Sequence, residues 1–193
     1  MPYINYENRE ISFKIVYYGP GMSGKTTNLV YVHETLSKEV RGDLVTLDTD
    51  EERTLFFDFF PLELGTIAGY RVRFNMYTVP GQIYYEASRR LMLDGADGVV
   101  FVADSQPIRF DYNVMSYQMM EENLISYGLD PNSFPIVLQY NKRDVENAVP
   151  IGTLESDLAI KDIPVLEAVA IRGTGVMETM REITRKVIEK FEL

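Results

Sequence analysis

Short apolar runs alternate along this chain with longer segments in which apolar residues recur at helical spacing. The clearest run is Gly98–Asp104, whose five central residues are all apolar, and it predicts a strand covered on both faces. The other predicted strands are Ser12–Tyr18, Leu44–Leu47, Ile136–Tyr140 and Pro164–Glu167, and the predicted helices are Lys25–Val40, Arg109–Tyr127, Thr153–Leu158 and Val176–Phe191. This alternation predicts an α/β fold, with a mostly parallel sheet of about six or seven strands and helices on both faces.

One antiparallel hairpin interrupts the alternation. Its predicted arms are Phe56–Leu62 and Tyr70–Val79, on either side of Gly65–Gly69. In the second arm apolar and polar residues alternate, which is typical of a strand with one face in water. The first arm is rich in phenylalanine, and a strand cannot hide all of these rings unless both of its faces are covered. Core packing of some rings and partner docking by others are both open at this point.

Composition places the chain among soluble globular proteins. It has 193 residues, which fits one domain spanning 1–193, and 46% of the residues are hydrophobic. The formal net charge of -10 opposes binding to nucleic acid or to an anionic membrane.

No lipid anchor or membrane span is expected. Cysteine is absent, so neither a disulfide nor a prenyl or palmitoyl group is possible, and Pro2 stands where N-myristoylation requires glycine. The longest apolar run, Val99–Ala103, is far shorter than a membrane span. We therefore expect a cytoplasmic protein that is monomeric on its own.

A glycine-rich loop lies between the first predicted strand and the first predicted helix. The segment 19–26 matches the phosphate-binding pattern G-x-x-x-x-G-K-[S/T] in the strand–loop–helix context that this pattern requires. Backbone N–H groups of such a loop and the positive end of the helix dipole attract a phosphate chain. Lys25 is placed to reach the outer phosphates and Thr26 to bind Mg²⁺. The predicted phosphate contacts are Gly19, Gly21, Met22, Ser23, Gly24, Lys25, Thr26 and Thr27.

A second motif, N-K-x-D, follows a predicted buried strand at 141–144. Ligands of open parallel sheets bind beyond the carboxyl ends of the strands. Asp144 can accept hydrogen bonds from the ring N–H and the exocyclic amine of guanine, and adenine offers neither donor. The Asn141 amide is expected to meet the purine edge, and the stem of Lys142 to lie along the base. Together with the phosphate loop, this motif predicts a guanine nucleotide.

Two further loops carry candidate chemistry. In Thr78–Gln82 the backbone N–H of Gly81 can meet a γ-phosphate, and Gln82 can orient an attacking water. In the polar segment before the Phe-rich strand, Thr54 offers a second hydroxyl to Mg²⁺, and Arg53 offers a guanidinium to the charge that develops on the phosphoryl group.

These motifs together resemble the Ras-like small GTPases, and within them the bacterial GTPases of gliding motility and cell polarity. The resemblance covers essentially the whole chain, and its specific pieces are 17–21, 24–29, 53–59, 77–82, 98–105 and 139–144. It implies a P-loop NTPase with a Ras-like G domain that binds GTP, GDP and Mg²⁺ and hydrolyses GTP. It also implies a dimeric activating partner of the Roadblock class and recruitment to a cell pole. Arg53 would be an arginine finger supplied in cis, and Gln82 would position the water.

Two departures from the wider Ras pattern stand out. The usual Asp of D-x-x-G is Thr78 here, and we expect Asp58, on the other hairpin arm, to supply the missing carboxylate to Mg²⁺ through water. The usual Ser-Ala-Lys guanine loop reads Val169-Ala170-Ile171. The Ala170 N–H can still meet the guanine carbonyl, but the lysine contact is missing.

Three functions fit these residues. The first is a GTP-hydrolysing switch with slow intrinsic turnover. The second is a nucleotide-gated binding module that barely hydrolyses, and the third is a kinase or ATPase built on the same loop. An intact Gln82 favours the first over the second, and Asn141 with Asp144 favours guanine over adenine.

Overall fold

A sheet with helices on both faces forms the frame of the computed structural model, which describes residues 2–47, 57–79 and 86–192. Within these residues the strands are β1 (Tyr3–Asn5), β2 (Glu10–Tyr18), β3 (Val45–Leu47), β4 (Phe57–Ile67), β5 (Tyr70–Thr78), β6 (Gly98–Asp104), β7 (Ile136–Asn141) and β8 (Val165–Glu167). Their order in the sheet is β3-β4-β5-β2-β6-β7-β8, and β1 pairs with β2. The predicted α/β fold, with a mostly parallel sheet and helices on both faces, is confirmed.

The part of the sheet that carries the motif loops 19–26 and 141–144 is parallel. Strands β5, β2, β6, β7 and β8 run parallel to one another, whereas β4 pairs antiparallel with both β3 and β5. The sheet has eight strands within the described residues, more than predicted, because the short strand β1 adds an antiparallel pair at the start of β2. None of the three residues of β1 is buried, so this strand has no buried apolar run that the sequence would reveal.

Helices cover both faces of the sheet. They are α1 (Lys25–Thr35), α2 (Glu86–Leu93), α3 (Phe110–Ser126), α4 (Thr153–Asp157) and α5 (Val176–Glu192). One core cluster joins α1 and α5 to the sheet, and the other joins α2, α3 and α4 to its opposite face. Alternate residues of β2 enter the two clusters, with Ile15 in the first and Val16 in the second. None of the helices in the described residues is both long and apolar enough to cross a bilayer.

Three local predictions differ from the structure. Helix α1 ends at Thr35 instead of Val40, because Val40 and Gly42 bond to the backbone of β4. Helix α2 was not predicted. The hairpin turn is the two-residue Ala68-Gly69, both with positive φ, and the glycine at 65 lies in an irregularity of β4 instead.

The Phe-rich strand β4 divides its rings between core and surface. Phe60 is fully buried, whereas Phe57 and Phe59 are half-buried, and Phe59 stacks on Tyr77 with ring centroids 4.7 Å apart. Phe56 lies outside the described residues. Core packing of at least one of these rings, one of the two roles considered from the sequence, is therefore confirmed by Phe60.

Candidate nucleotide-binding site

The phosphate loop follows β2 directly and leads into α1. Gly24 has a φ of +103° and begins α1 without a side-chain cap, so the first N–H groups of the helix receive no bond from a capping side chain. A Cβ at Gly24 would lie 2.2 Å from Asn141 Nδ2, so glycine is required for this close approach. An uncapped helix start at a glycine loop is a ready anion site.

The other loop residues differ in exposure. Ser23 is fully buried, whereas Met22 is 87% exposed with a φ of +64°. Thr26 and Thr27, in the first turn of α1, are both exposed. Thr26 and Thr27 are therefore exposed residues at the start of the helix, whereas the Ser23 side chain is enclosed by the protein.

Lys25 lies across the phosphate loop. Its side chain is buried, with 6% of the residue exposed, and Nζ donates to Gly19 O at 3.0 Å and to Pro20 O at 2.7 Å. Neutral carbonyls are weak partners for a buried ammonium group, which gains most from a negative charge. A phosphate chain in the loop fits that need.

Two arginines add positive charge around Lys25. Arg109 Nη2 donates to Gly21 O at 2.8 Å, and Arg89 on α2 is buried. Burial, with the charges of Arg89 and Arg109, lowers the pKa of Lys25 to about 7, while Asp58 acts in the opposite direction. This concentration of cations is suited to a polyanion. Sequence reasoning missed Arg109, and the only available signal was its place just after β6, at the edge where ligands bind.

Asp58 lies beside Thr26, as its proposed role requires. Thr26 Oγ1 donates to Asp58 Oδ2 at 2.6 Å, and Thr78 Oγ1 donates to the same oxygen at 3.0 Å. Thr46 Oγ1 donates to Oδ1 at 3.0 Å, and Asp58 is 5% exposed. A carboxylate next to a hydroxyl is the oxygen chemistry that Mg²⁺ prefers, so these residues fit that ion.

Asn141 ties the phosphate loop to the guanine loop. Its Nδ2 donates to Ser23 O at 2.7 Å, and Ala170 N donates to its Oδ1 at 2.9 Å. Both polar atoms of the amide, and the Ala170 N–H, thus already have protein partners. In this structure Asn141 holds two loops together. Each amide atom can make a second hydrogen bond, so the expected contacts of Asn141 and Ala170 with a base stay predictions.

The remaining residues of the N-K-x-D motif are held by ion pairs. Lys142 Nζ lies 2.6 Å from Asp104 Oδ2, and Asp104 is 1% exposed at the end of β6. Arg172 Nη2 lies 3.5 Å from Asp144 Oδ2, in a pair that is largely exposed on the arginine side. Ile171, where the Ras pattern has lysine, is 81% exposed. The cation that pairs with Asp144 is therefore Arg172, one position after Ile171.

Val169 closes the guanine loop. Its N–H donates to Thr174 O at 3.0 Å, and the loop between them contains the 3-10 turn Ala170–Arg172. Four further residues that are expected to act on the γ-phosphate or on Mg²⁺ lie outside the described residues. They are Arg53, Thr54, Gly81 and Gln82.

Comparison with known proteins decides the family. The chain is 50% identical, over its full length and 98% of the relative, to "Mutual gliding-motility protein MglA" of Myxococcus xanthus. The chain is a Ras-like small GTPase. Within this family it is also 22% identical to "Ras-related protein Rab-4A" of human and rat, over 96% of the chain and 79% of those relatives. No protein-family model matches the chain. The Ras-like GTPase resemblance seen in the motifs is confirmed, with MglA as a full-length relative.

Proposed function

We propose that this protein is a molecular switch that binds GTP, hydrolyses it to GDP and phosphate, and is built as one G domain spanning 1–193. The observation that carries the proposal is the pair of hydrogen bonds through which Asn141 joins the glycine loop at Ser23 to the loop at Ala170. A phosphate-binding pattern and a guanine-reading pattern therefore meet at one edge of the sheet. Membership of the Ras-like GTPases supports guanine as the base.

In the proposed complex the phosphates lie in loop 19–26. Its N–H groups and Lys25 donate to the phosphate oxygens, and Arg109 holds the loop from outside through Gly21. Thr26 and Thr54 bind Mg²⁺ through their hydroxyls, and Asp58 binds it through a water. The metal ion, when bound, neutralises charge on the outer phosphates. Asp144 and Lys142, with Val169 and Ala170, form the base site.

Hydrolysis is assigned to residues around the γ-phosphate. Gln82 orients a water for in-line attack, and the Gly81 N–H donates to the γ-phosphate. Arg53 brings a guanidinium to the charge that develops in the transition state. Positioning and charge stabilisation carry most of the catalysis in such reactions. We assign the correct placement of Arg53 and Gln82 to a partner, and this makes intrinsic hydrolysis slow.

The cellular role follows from the relative's name. MglA is a gliding-motility protein, and we propose that this chain is a switch in gliding motility or cell polarity. Its activator would be a dimeric, MglB-like protein of the Roadblock class, and polarity effectors would bring it to a cell pole.

Single-turnover GTP decay tests the enzymatic proposal. Purified protein with Mg²⁺ is expected to bind GTP in preference to ATP, to hydrolyse it slowly alone, and to hydrolyse it faster with a Roadblock-class partner. Arg53→Ala and Gln82→Leu are expected to abolish the acceleration, whereas Arg181→Ala, on an exposed position of α5, leaves it intact. GTP that stays intact even with the partner would assign the chain to nucleotide-gated binding modules. Preference for ATP would overturn the switch proposal.

A further inference from the structure

A buried chain of polar side chains lies on the face of the sheet that α1 and α5 cover. Asn28 on α1, Gln139 on β7 and Thr179 on α5 form it, and none of the three is exposed. Asn28 Nδ2 donates to Gln139 Oε1, and Gln139 Nε2 donates back to Asn28 Oδ1, both at 2.9 Å. Gln139 Nε2 also donates to Thr179 Oγ1 at 2.8 Å. The three side chains thus connect a helix on the phosphate side to the helix that follows the guanine loop.

Both ends of this chain finish on backbone of the nucleotide loops. Asn28 Nδ2 donates to Gly24 O at 2.9 Å, at the end of the phosphate loop. Thr179 Oγ1 donates to Gly175 O at 2.7 Å, just past the guanine loop. All four amide N–H groups and both amide oxygens of Asn28 and Gln139 are therefore paired. A fully paired polar chain in a core is costly to leave half-formed, so it constrains the elements that it joins.

Asn141 makes a parallel connection two residues further along β7. Side chains at i and i+2 of a strand lie on the same face, so Gln139 and Asn141 stand side by side. Asn141 joins Ser23 O to Ala170 N, and the chain through Gln139 joins Gly24 O to Gly175 O. We propose that Asn28, Gln139 and Thr179 are positioning residues for the nucleotide, which fix the separation of the phosphate loop and the guanine loop from within the core.

Peptide geometry explains how this connection prepares the site. The C=O and N–H of a trans peptide point in opposite directions. Asn141 and Asn28 hold the carbonyls of Ser23 and Gly24, which directs the following N–H groups to the other side of each peptide. Successive N–H groups that share a direction form an anion cradle. The inference rests on the proposed function, because it concerns affinity for the same guanine nucleotide.

The test measures the Kd and dissociation rate of GDP with Mg²⁺, together with the melting temperature. Gln139→Leu leaves Asn28 and Thr179 without their shared partner, and the Kd is expected to rise about 3- to 30-fold, mainly through faster dissociation. Thr179→Val is expected to shift the Kd in the same direction by a smaller factor. Thr184→Val is the matched control: Thr184 is buried on the same helix, and its hydroxyl donates to Met180 O and Arg181 O within α5.

A triple variant separates positioning from folding stability. In Asn28→Leu/Gln139→Leu/Thr179→Val no side-chain amide or hydroxyl of the set is left unpaired. Gly24 O and Gly175 O keep their backbone partners, Asn28 N at 2.9 Å and Thr179 N at 3.0 Å. Such apolar replacement is expected to recover much of the melting temperature lost in Gln139→Leu. The Kd is expected to stay raised, because the connection through Gln139 is lost and only that through Asn141 still joins the two loops.

Each outcome decides the inference. A triple variant with wild-type Kd would show that the polar chain acts through stability alone, and would overturn it. If Gln139→Leu does not fold, unchanged Kd values in Thr179→Val and in the triple variant overturn it equally. Wild-type protein that fails to bind GDP overturns the proposed function, and this inference with it, before any variant is measured. If the wild-type protein binds GDP and the variants bind it with the same Kd, the inference is overturned but the proposed function is not.

Discussion

Thr26 donates a 2.6 Å hydrogen bond to Asp58, although the two residues lie 32 positions apart and on different elements. Thr78, at the position where the wider Ras pattern has aspartate, donates to the same carboxylate oxygen. A carboxylate therefore stands beside the Thr26 hydroxyl in spite of the substitution at 78. It comes from β4, the strand that pairs with β5.

Asp58→Asn tests whether this carboxylate serves Mg²⁺. The variant keeps the shape of the side chain and removes its charge. We expect the gain in nucleotide affinity on adding Mg²⁺ to fall about 10- to 100-fold, because an outer partner of the ion is lost. Fluorescent GDP titrations over a range of Mg²⁺ concentrations measure this. Asp43→Asn, at an exposed position, is the control, and an unchanged Mg²⁺ dependence in Asp58→Asn would rule out the role.

Lys25 makes both stability and binding depend on pH. Burial lowers its pKa to about 7, whereas the ordinary value is 10.5. Between these values the unfolded state binds more protons, so the stability of the nucleotide-free protein is expected to rise with pH from about 7 to about 10. Bound phosphate favours the charged lysine, so the Kd for GDP is expected to rise with pH over the same range.

Calorimetry can measure the proton that Lys25 is expected to take up when GDP binds. GDP binding at pH 8, compared in buffers of different ionisation enthalpy, is expected to take up about one proton. Lys25→Arg keeps the charge but stays protonated throughout, so its binding should take up none at this position. Equal uptake by wild type and Lys25→Arg would show that another group is responsible.

Asp144→Asn is expected to change the preferred base. The carboxylate matches two donors on guanine, whereas an amide matches one donor and one carbonyl, as xanthine presents. Affinity for GDP should fall about tenfold or more while affinity for xanthosine diphosphate rises. Competition assays with the two nucleotides measure the switch, with Asp157→Asn at an exposed position of α4 as control. A parallel loss of both nucleotides would point instead to a damaged fold.

The ion pair between Lys142 and the buried Asp104 is expected to control nucleotide release. Asp104→Asn should speed GDP dissociation about tenfold, because Lys142 loses the carboxylate that holds it 2.6 Å away. Lys142→Met should do the same, and the double variant should be little worse than either single one. Stopped-flow release of fluorescent GDP measures all three.

Glu167→Gln is the control for the Lys142–Asp104 variants, because it breaks an exposed ion pair. Glu167 is paired with Arg143 at 2.9 Å but is 62% exposed, and such surface pairs contribute little, so release should change by less than about twofold. Additive effects of Asp104→Asn and Lys142→Met would show that the two residues act independently.

The sequence predicts the frame well because burial leaves a clear pattern. Gly98–Asp104 was predicted with its observed bounds, since a strand covered on both faces is apolar throughout. The end of α1 was misplaced because tertiary hydrogen bonds from Val40 and Gly42 to β4 determine where it stops. Helix α2 follows a stretch without a strong helix-start signal and was missed.

Local motifs reveal the site residues, but not their mutual contacts. The loops at Lys25 and Asp144 could be found from spacing alone, because each role needs a fixed residue type at a fixed position. Asp58 was singled out because Thr78 broke a pattern, and the structure places it beside Thr26. Arg109 and Gln139 could not be found in this way, since their partners are distant backbone atoms and side chains that no local spacing encodes.

Strands β6 and β7 are both interior strands of the sheet, and this has a consequence for hydrogen exchange. Every residue of both strands is buried, and each strand is paired on both sides. Their amide protons should exchange with solvent only when the whole domain opens, far more slowly than those at the sheet edges. Asp104 and Asn141 end these two strands, so the floor of the site belongs to the last part of the molecule to exchange.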